Sequence, residues 1–304
     1  MIIRRRFLSL AAATAALPLL PQRLWAGSSA TLGMMRIDTL SDGHLVLPGD
    51  FILGGMPQDE LAAILARHDL PRDRIEPPCN VTLMRDGANT VLFDAGAGPD
   101  FMPTAGKLME AFDLLGLATD DITHVVFTHG HPDHLWGILD EFDEPLFPNA
   151  TLMMGQAEFD YWMDPGTVTS IGEARTTFAV GAKRRLEAIA ELIGTFSDGV
   201  EILPGVAARA TFGHTPGHMA FELRSGSESV MVVGDALNNH HVAFERPDWA
   251  SGADQDPPAA AATRVAFLDQ IAAAQMRIVG FHLPGGGIGR AERADGAYRF
   301  VEDA

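Results

Sequence analysis

The residues most able to do chemistry form one short string, Thr-His-Gly-His-Pro-Asp-His at positions 128–134. It follows the apolar, β-branched run 123–127, which is typical of a buried strand. Alternate side chains of extended backbone point the same way, so His129 and His131 are expected to share one side. Imidazole and carboxylate donors suit Zn, Mn, Fe or Co, and four donors exceed the three that one catalytic zinc usually takes. The string therefore predicts a site for two metal ions.

Three further candidate ligands each end or follow an apolar run. His214 follows residues 210–213, Asp235 ends the run that begins at residue 230, and His282 ends the run that begins at residue 277. Ligand-binding loops gather at strand ends in α/β folds, so these side chains are expected to join the string. Because a carboxylate can bind two cations at once, Asp235 is the predicted bridge between them.

Apolar periodicity predicts the elements that must position these residues. The predicted strands are 35–40, 45–47, 81–84, 90–93, 123–127, 151–154, 202–203, 206–212, 219–223, 230–233 and 277–281; the predicted helices are 58–68, 105–115, 156–163, 173–193 and 258–275. Two similar halves of mixed strands and helices favour two sheets covered by helices on the outside. Residues 248–258 are predicted to be a mobile surface loop.

Composition narrows the class of protein. The chain has 304 residues, of which 47% are hydrophobic and 20% charged, as suits a globular protein rather than a disordered one. The formal net charge of −18 disfavours nucleic acid and anionic membranes as partners. Cys79 is the single cysteine, so it cannot form an intramolecular disulfide. Any metal is therefore expected to bind nitrogen and oxygen ligands.

The first 30 residues have the composition of a signal peptide. Three arginines at positions 4–6 precede an uncharged apolar run at 7–20, and small residues follow. The run is too short to span a bilayer, so no permanent membrane span is expected. The Arg-Arg-x-Phe-Leu form resembles a twin-arginine signal, which predicts periplasmic or secreted protein, cleaved after Ala26 or Ala30. Residues 31–304 then form one catalytic domain.

The ligand pattern resembles the metallo-β-lactamase superfamily of metallohydrolases, whose signature is His-x-His-x-Asp-His followed downstream by a His, an Asp and a His. The resemblance implies an αββα four-layer sandwich over residues 35–304. It also implies two divalent ions, with Zn favoured over Mn, Co or Fe. The implied ligands are His129, His131 and His214 for the first ion, Asp133, His134 and His282 for the second, and Asp235 as the bridge.

A narrower resemblance is to the methyl parathion hydrolase group and its lactonase and arylesterase relatives. It is carried by residues 40–43, 147–150, 214–218 and 287–290, and by Tyr-Arg-Phe at 298–300. The pair Asp50-Phe51 departs from it, since a more basic loop is expected there, and this leaves the substrate open. The implied reaction is hydrolysis of hydrophobic esters or lactones, with phosphotriesters such as organophosphates as further substrates.

The expected nucleophile is a metal-bound hydroxide, because two cations lower the pKa of water toward neutrality. Asp133 and Asp235 are expected to anchor the metals and to help handle the proton. His218 and Asp94 are predicted to orient ligands by hydrogen bonds. Gly-x-Ser-x-Gly and Ser-x-x-Lys motifs are absent from the sequence, which disfavours a serine nucleophile.

Aromatic residues in segments that border the cavity by the resemblance are predicted to line it, with ordinary core packing as the alternative. They are Phe101, Trp162 and Phe178, with Trp136, Phe244 and Trp249 as further candidates. An aromatic wall favours a small hydrophobic substrate. Other functions stay open, namely β-lactam hydrolysis, iron-dependent redox chemistry on the same fold and non-catalytic binding. The oligomeric state is also open, with a homodimer as one option.

Overall fold

The computed structural model describes residues 26–303, which form two seven-stranded mixed sheets stacked face to face. Across the first sheet the strands are β1 (Ala26–Leu32), β2 (Met35–His44), β5 (Pro78–Arg85), β6 (Thr90–Phe93), β7 (His124–Phe127), β8 (Thr151–Gly155) and β9 (Ile193–Phe196). Strands β6 to β9 run parallel, and the pairs from β1 to β6 are antiparallel. A separate two-stranded pair joins β3 (Leu47–Pro48) to β4 (Arg74–Ile75).

The second sheet follows the chain order without a break. Its strands are β10 (Glu201–Leu203), β11 (Val206–Ala210), β12 (Met219–Ser225), β13 (Glu228–Gly234), β14 (Arg277–Gly280), β15 (Ile288–Ala294) and β16 (Ala297–Glu302). Only β13 and β14 pair in parallel among these strands of the described chain, and a long helix makes the crossover between them.

Helices cover the outer faces of both sheets. The helices of the described residues are α1 (Gly49–Leu53), α2 (Gln58–Arg67), α3 (Leu108–Leu115), α4 (Pro132–Leu135), α5 (Gln156–Met163), α6 (Thr167–Ser170), α7 (Thr176–Ile189), α8 (Val242–Glu245) and α9 (Pro257–Ala273), not all of which lie on a sheet face. Helix α3 ends at Gly116, whose φ of 64° is readily available to glycine. Helix α9 begins after Asp256, whose carboxylate accepts a hydrogen bond from the Ala259 N–H. None of the helices in residues 26–303 combines the length and the apolar character needed to cross a membrane.

Strand alternation divides the apolar residues among three layers. In β5, Leu83 faces the helices of the first sheet and Met84 faces the second sheet. Between the sheets, the rings of Phe93 and Phe221 lie 5.2 Å apart, centroid to centroid. A third cluster packs Phe267 and other α9 residues against the outer face of the second sheet. The predicted αββα four-layer sandwich is therefore confirmed.

Some predicted elements differ from the structure. The predicted helix 173–193 ends with α7, and its last residue begins β9, because the apolar run through Ile189 and Ile193 continues across the boundary. The hairpin β15–β16 was not predicted, because its strands carry many charged residues. Its turn at Asp295 and Gly296 has positive φ at both residues, which Asp-Gly pairs commonly adopt in hairpins.

The segment 248–258, which was predicted to be a mobile surface loop, is partly buried in the structure. Its residues Trp249, Ser251 and Asp254 are buried, since the loop packs between the metal-ligand candidates and α9. Trp249 joins a small apolar cluster with α1 and α2, and this cluster covers one side of the candidate site.

The predicted boundary between residues 30 and 31 falls inside β1. Residues 1–25, which carry most of the predicted signal peptide, lie outside the described residues. Within β1, Ser28 N–H donates to Thr39 Oγ1 at 2.9 Å and its hydroxyl donates to the Gly285 carbonyl at 2.6 Å. Cleavage after Ala30 would remove these contacts, whereas cleavage after Ala26 would keep them.

We propose that an exported form of the chain keeps residues 27–30. A chain starting at Gly27 should therefore unfold at a higher urea concentration than one starting at Thr31, because only the longer chain completes the β1–β2 pairing. Mass spectrometry of the periplasmic protein should show a first residue no later than Gly27. A mature protein starting at Thr31 with undiminished stability would contradict this.

Candidate metal centre

Four loops at one end of the two sheets position the candidate ligands. The 128–134 string follows β7, Asp235 follows β13, His282 lies two residues beyond β14, and His214 lies in the loop after β11. Pro132 begins α4, which turns the chain so that Asp133 and His134 face back toward the sheet ends. The structure brings all seven predicted ligands together, and all seven are buried.

Three histidines form what we name the first half-site, consisting of His129, His131 and His214. His131 Nδ1 lies 3.0 Å from His129 Nε2 and 2.9 Å from His214 Nε2. These three nitrogens face one another at distances that three ligands of one tetrahedral ion would have. The group could therefore hold one metal ion.

A second half-site is formed by Asp133, His134 and His282. Asp133 Oδ2 lies 3.4 Å from His134 Nε2 and 3.2 Å from His282 Nε2. Asp235 lies between the two half-sites: its Oδ1 is 3.2 Å from His134 Nε2, and its Oδ2 is 3.3 Å from both His214 Nε2 and His282 Nε2. One carboxylate thus faces ligands of both half-sites, as a bridging carboxylate must.

The hydrogen-bonding state of these side chains fits a metal site. Asp133 Oδ2, Asp235 Oδ1 and His134 Nε2 are buried and have no hydrogen-bond partner among the described residues. Buried polar atoms without a partner are costly and uncommon in folded proteins. Divalent cations would compensate all three at once, and oxygen and nitrogen donors of this kind suit Zn²⁺.

The site is strongly polarised without any metal. Burial lowers the pKa of His129 and His131 far below the usual value, with neighbouring histidines adding to the effect, so these rings are neutral. Burial also opposes protonation of His134, but Asp133, Asp235 and Asp94 outweigh it and raise its pKa. The pKa of His282 is raised in the same way, because Asp235 and Asp133 outweigh the effect of burial. Protons therefore occupy the second half-site at positions where a cation would replace them.

Asp94, predicted to orient a ligand, accepts a hydrogen bond from His134 Nδ1 at 2.8 Å. It also accepts from the backbone N–H and the hydroxyl of Thr128, at 2.7 and 2.8 Å. Holding the distal nitrogen fixes the ring orientation and leaves Nε2 for the metal. His282 is held similarly, since its Nδ1 lies 2.7 Å from the Pro78 carbonyl oxygen.

His218 lies beneath Asp235 instead of beside the metal site. Its Nε2 accepts a hydrogen bond from the Asp235 backbone N–H at 2.9 Å, and its Nδ1 lies 2.8 Å from Thr211 Oγ1. Burial lowers the pKa of His218 far below its usual value, so the ring is neutral and can accept this bond. His218 therefore positions the backbone that carries the bridging carboxylate.

A buried carboxylate that the sequence analysis did not identify joins two ligand loops. Glu158 on α5 accepts hydrogen bonds from the N–H groups of Gly130 and Gly217, at 2.8 and 2.9 Å. It also accepts from Thr215 Oγ1 and Trp162 Nε1, at 2.7 and 2.6 Å. Because these donors come from both the 128–134 and 214–218 loops, Glu158 fixes the loops of the first half-site relative to each other.

Trp162 is therefore not a lining residue, which corrects the prediction from sequence. Its ring is buried beneath the ligand loop, where a Cβ at position 130 would lie 2.4 Å from the indole nitrogen. This contact explains why glycine separates the first two histidines. Trp136, Phe244 and Trp249 also lie in packed clusters and do not line the pocket above the ligands, because their rings face the core.

Phe101 and Phe178 do line a pocket that opens above the ligands, as predicted. Its apolar wall comprises Leu45, Phe51, Ile52, Ile75, Phe101 and Phe178. Its polar floor includes His131, Asp133, His214, Asp235 and His282. Phe51, which marked a departure from the family pattern, is thus part of the wall.

Cys79 is closer to the site than its sequence position indicates. Its sulfur atom lies in a group with ligand atoms of Asp133 and His282, all within 4.8 Å of one another. Burial raises the pKa of the thiol to about 12, although His282 acts in the opposite direction. In the absence of a cation, the thiol is therefore protonated where it packs beside the second half-site.

Comparison with known families agrees with this geometry. A family model described as the metallo-beta-lactamase superfamily matches residues 74–282, which is more than half of the chain. The chain belongs to this superfamily. Among the described residues, all seven candidate ligands and the strands β4 to β14 lie within that match.

Two solved structures show the same fold. AidC, a dizinc quorum-quenching lactonase solved with a product, matches with a TM-score of 0.86 at 24% identity, covering 92% of this chain and 98% of AidC. AbOPH, a hydrolase in the beta lactamase superfamily, matches with a TM-score of 0.85 at 27% identity, covering 93% and 99%. These likenesses extend over nearly the whole length of each structure.

Curated relatives match over shorter stretches. Metallo-beta-lactamase domain-containing protein 1 of Xenopus laevis is 30% identical over 139 residues, which cover 46% of this chain and 54% of that protein. The uncharacterized protein YobT of Bacillus subtilis is 28% identical over 162 residues, covering 53% of this chain and 62% of YobT. The chain thus spans a little over half the length of these relatives.

Substitution of the central carboxylate provides a test of the site. Asp235→Asn should reduce metal content at both half-sites, because Asp235 faces ligands of each, and turnover should fall steeply with it. His218→Ala should have the milder effect, since it removes only a hydrogen bond to the Asp235 backbone. Elemental analysis of the purified variants measures metal per chain. Equal and negligible losses in both variants would contradict these roles.

Proposed function

We propose that the protein is a dinuclear metal-dependent hydrolase of hydrophobic lactones and esters, with zinc as the metal. The observation that carries this proposal is the position of Asp235, which faces both half-sites at the floor of an apolar pocket. Two comparisons support it. The chain belongs to a superfamily of metallohydrolases, and AidC, which shares its fold, is described as a dizinc lactonase.

The metal ligands, Asp133 and the apolar wall would each contribute differently to hydrolysis. Two bound cations would polarise the carbonyl oxygen and lower the pKa of a water molecule toward 7. Asp133 lines the floor of the pocket, and it has a buried oxygen without a hydrogen-bond partner, so it is placed to hold or pass a proton near the scissile bond. The apolar wall excludes bulk water and strengthens the electrostatic interactions at the floor.

The pocket favours a small hydrophobic acyl group. Phe178 lies over His131 with ring centroids 5.8 Å apart, and Phe101 packs against Phe178 at 5.9 Å. This places an aromatic surface directly beside the first half-site, where an acyl chain next to the scissile carbonyl would lie. Phosphotriester hydrolysis at the same floor is the secondary activity proposed, in line with the sequence resemblance to methyl parathion hydrolase.

A substrate panel tests this proposal. We expect kcat/KM to be highest for N-acyl homoserine lactones and dihydrocoumarin, lower for aryl esters and methyl parathion, and negligible for nitrocefin. Elemental analysis should find zinc, close to two ions per chain. Absence of turnover on all lactones and esters would refute the proposal, and stoichiometric iron with oxygen uptake would favour the redox alternative.

One cationic side chain gives a more specific indication of the substrate. Arg175 is the sole lysine or arginine among the described residues that line the pocket. Its guanidinium lies 5.2 Å from the Phe51 ring centroid and donates to the Gly252 carbonyl. Among the described side chains it has no carboxylate within ion-pair distance, because Asp254 is engaged by Arg264 and His214. Free N–H groups of Arg175 could therefore bind a second acceptor on the substrate, such as an amide carbonyl.

Substitution of Arg175 should separate two kinds of lactone. In Arg175→Met, KM for an N-acyl homoserine lactone should rise about 10-fold or more, because a hydrogen bond to a charged group contributes about 1.5–3 kcal/mol. KM for an unsubstituted γ-lactone, which lacks the amide, should change little. Arg184→Met is the matched control, since Arg184 lies exposed on α7, the helix that begins directly after Arg175, and pairs with Asp143. Equal effects on both lactones would contradict this contact.

A further inference from the structure

The loop between α8 and α9, residues 246–256, packs against the first half-site but contributes none of its candidate ligands. Its backbone is tied to the ligand loop after β11 by two hydrogen bonds. Gln255 N–H donates to the His214 carbonyl at 3.0 Å, and Asp256 N–H donates to the Gly213 carbonyl at 2.9 Å. The side chains of Asp254 and Gln255 are thereby brought next to two candidate metal ligands.

Asp254 contacts the nitrogen of His214 that faces away from the half-site. Its Oδ1 lies 3.1 Å from His214 Nδ1, and the carboxylate is fully buried. Its Oδ2 is 3.4 Å from both terminal nitrogens of the Arg264 guanidinium. Arg264 is held in turn by the Pro247 and Trp249 carbonyls, at 3.1 and 2.9 Å. The charge of Asp254 is thus balanced, and its position does not depend on a metal.

Gln255 makes the corresponding contact with His131. Its side-chain amide lies 3.1 Å from His131 Nε2, while its Oε1 has no other partner among the described residues. With Nδ1 of His131 facing the half-site, Nε2 carries the proton and requires an acceptor. The amide orientation that points oxygen at Nε2 provides that acceptor and satisfies Oε1 as well.

We propose that Asp254 and Gln255 are positioning residues for the first half-site. They fix the tautomer and the ring orientation of His214 and His131, and so set metal affinity there. The second half-site does not use this loop, since its rings are held by Asp94 and the Pro78 carbonyl. The inference rests on the proposed two-ion centre, but metal binding can be measured without a substrate.

The same loop also touches the wall of the pocket. Gly252 N–H donates to the Ile52 carbonyl at 3.0 Å, and the Gly252 carbonyl accepts from Arg175. Ala253 itself lines the pocket. The loop therefore connects the residues that would contact a substrate with the two histidines that it orients.

The experiment compares stepwise metal affinity of the full chain and its variants. Metal-free protein is titrated with Co²⁺ and, separately, with Zn²⁺ in competition with a chromophoric chelator. Asp254→Leu and Gln255→Leu, which remove the acceptors, should each weaken one of the two binding steps by about 10–100-fold and leave the other unchanged. Gln255→Glu should retain wild-type affinity, because a carboxylate still accepts the His131 N–H. Anomalous scattering at limiting metal should place the vacated position at His129, His131 and His214.

Asp42→Asn serves as the matched control. Asp42 is a buried carboxylate that, within residues 26–303, accepts only from the backbone N–H groups of Ala97, Gly106 and Leu108. It should lower stability without a selective change in either binding step. If Asp254→Leu does not fold, the Gln255→Leu and Gln255→Glu pair decides the question.

Unchanged affinity in Gln255→Leu, or an equal weakening of both steps, would overturn the proposal. Poor turnover of lactones by wild-type protein that binds both ions would count against the proposed substrate alone. The two conclusions therefore fail on different measurements.

Discussion

Seven buried side chains with unlike charges share one small volume between the ends of the two sheets. Five imidazoles and two carboxylates lie with ligand atoms about 3 Å apart, and three of those atoms have no hydrogen-bond partner in residues 26–303. Without cations, protons on His134 and His282 offset the carboxylates. The surrounding fold must hold this arrangement rigidly, because any relaxation that separated the groups would remove the capacity to bind metal.

The rigidity comes from buried polar groups that hydrogen-bond to the ligands and to the loops that carry them. Glu158 joins the loops on either side of the first half-site, His218 holds the backbone at Asp235, and Asp94 holds His134. Each of these groups comes from a different element, so the site is fixed from several directions. This network explains how loops, which are usually the mobile parts of a protein, can maintain distances suited to metal binding.

Sequence reasoning recovered the seven ligand candidates because their signal is local. A dense string of donors directly after a buried strand, followed by single donors at later strand ends, is visible without any structure. The groups that support them were harder to find. Asp254 lies 40 positions from His214 in a segment rich in polar and small residues, and Glu158 has no motif around it. Their roles depend on long-range packing, which periodicity does not encode.

The aromatic residues illustrate the same limit. Trp162, Phe101 and Phe178 looked alike as lining candidates, but only the two phenylalanines reach the pocket. Trp162 is buried beneath the ligand loop instead, where Glu158 on the same helix accepts a hydrogen bond from its indole N–H. The fold class was accessible from the alternation of strands and helices, whereas the charged hairpin β15–β16 was not, since its residues lack a clear apolar alternation.

The wall of the pocket and its floor come from separate parts of the chain. Phe51, Ile52 and Ile75 belong to the segment between β2 and β5, while the floor comes from strand ends. Substrate preference can therefore change over evolutionary time, or in a mutagenesis library, without loss of the reactive centre. The segment at 251–256 is the exception, since it serves both parts. Diversification is best directed to the wall residues before β5, where changes in selectivity carry the least risk to function.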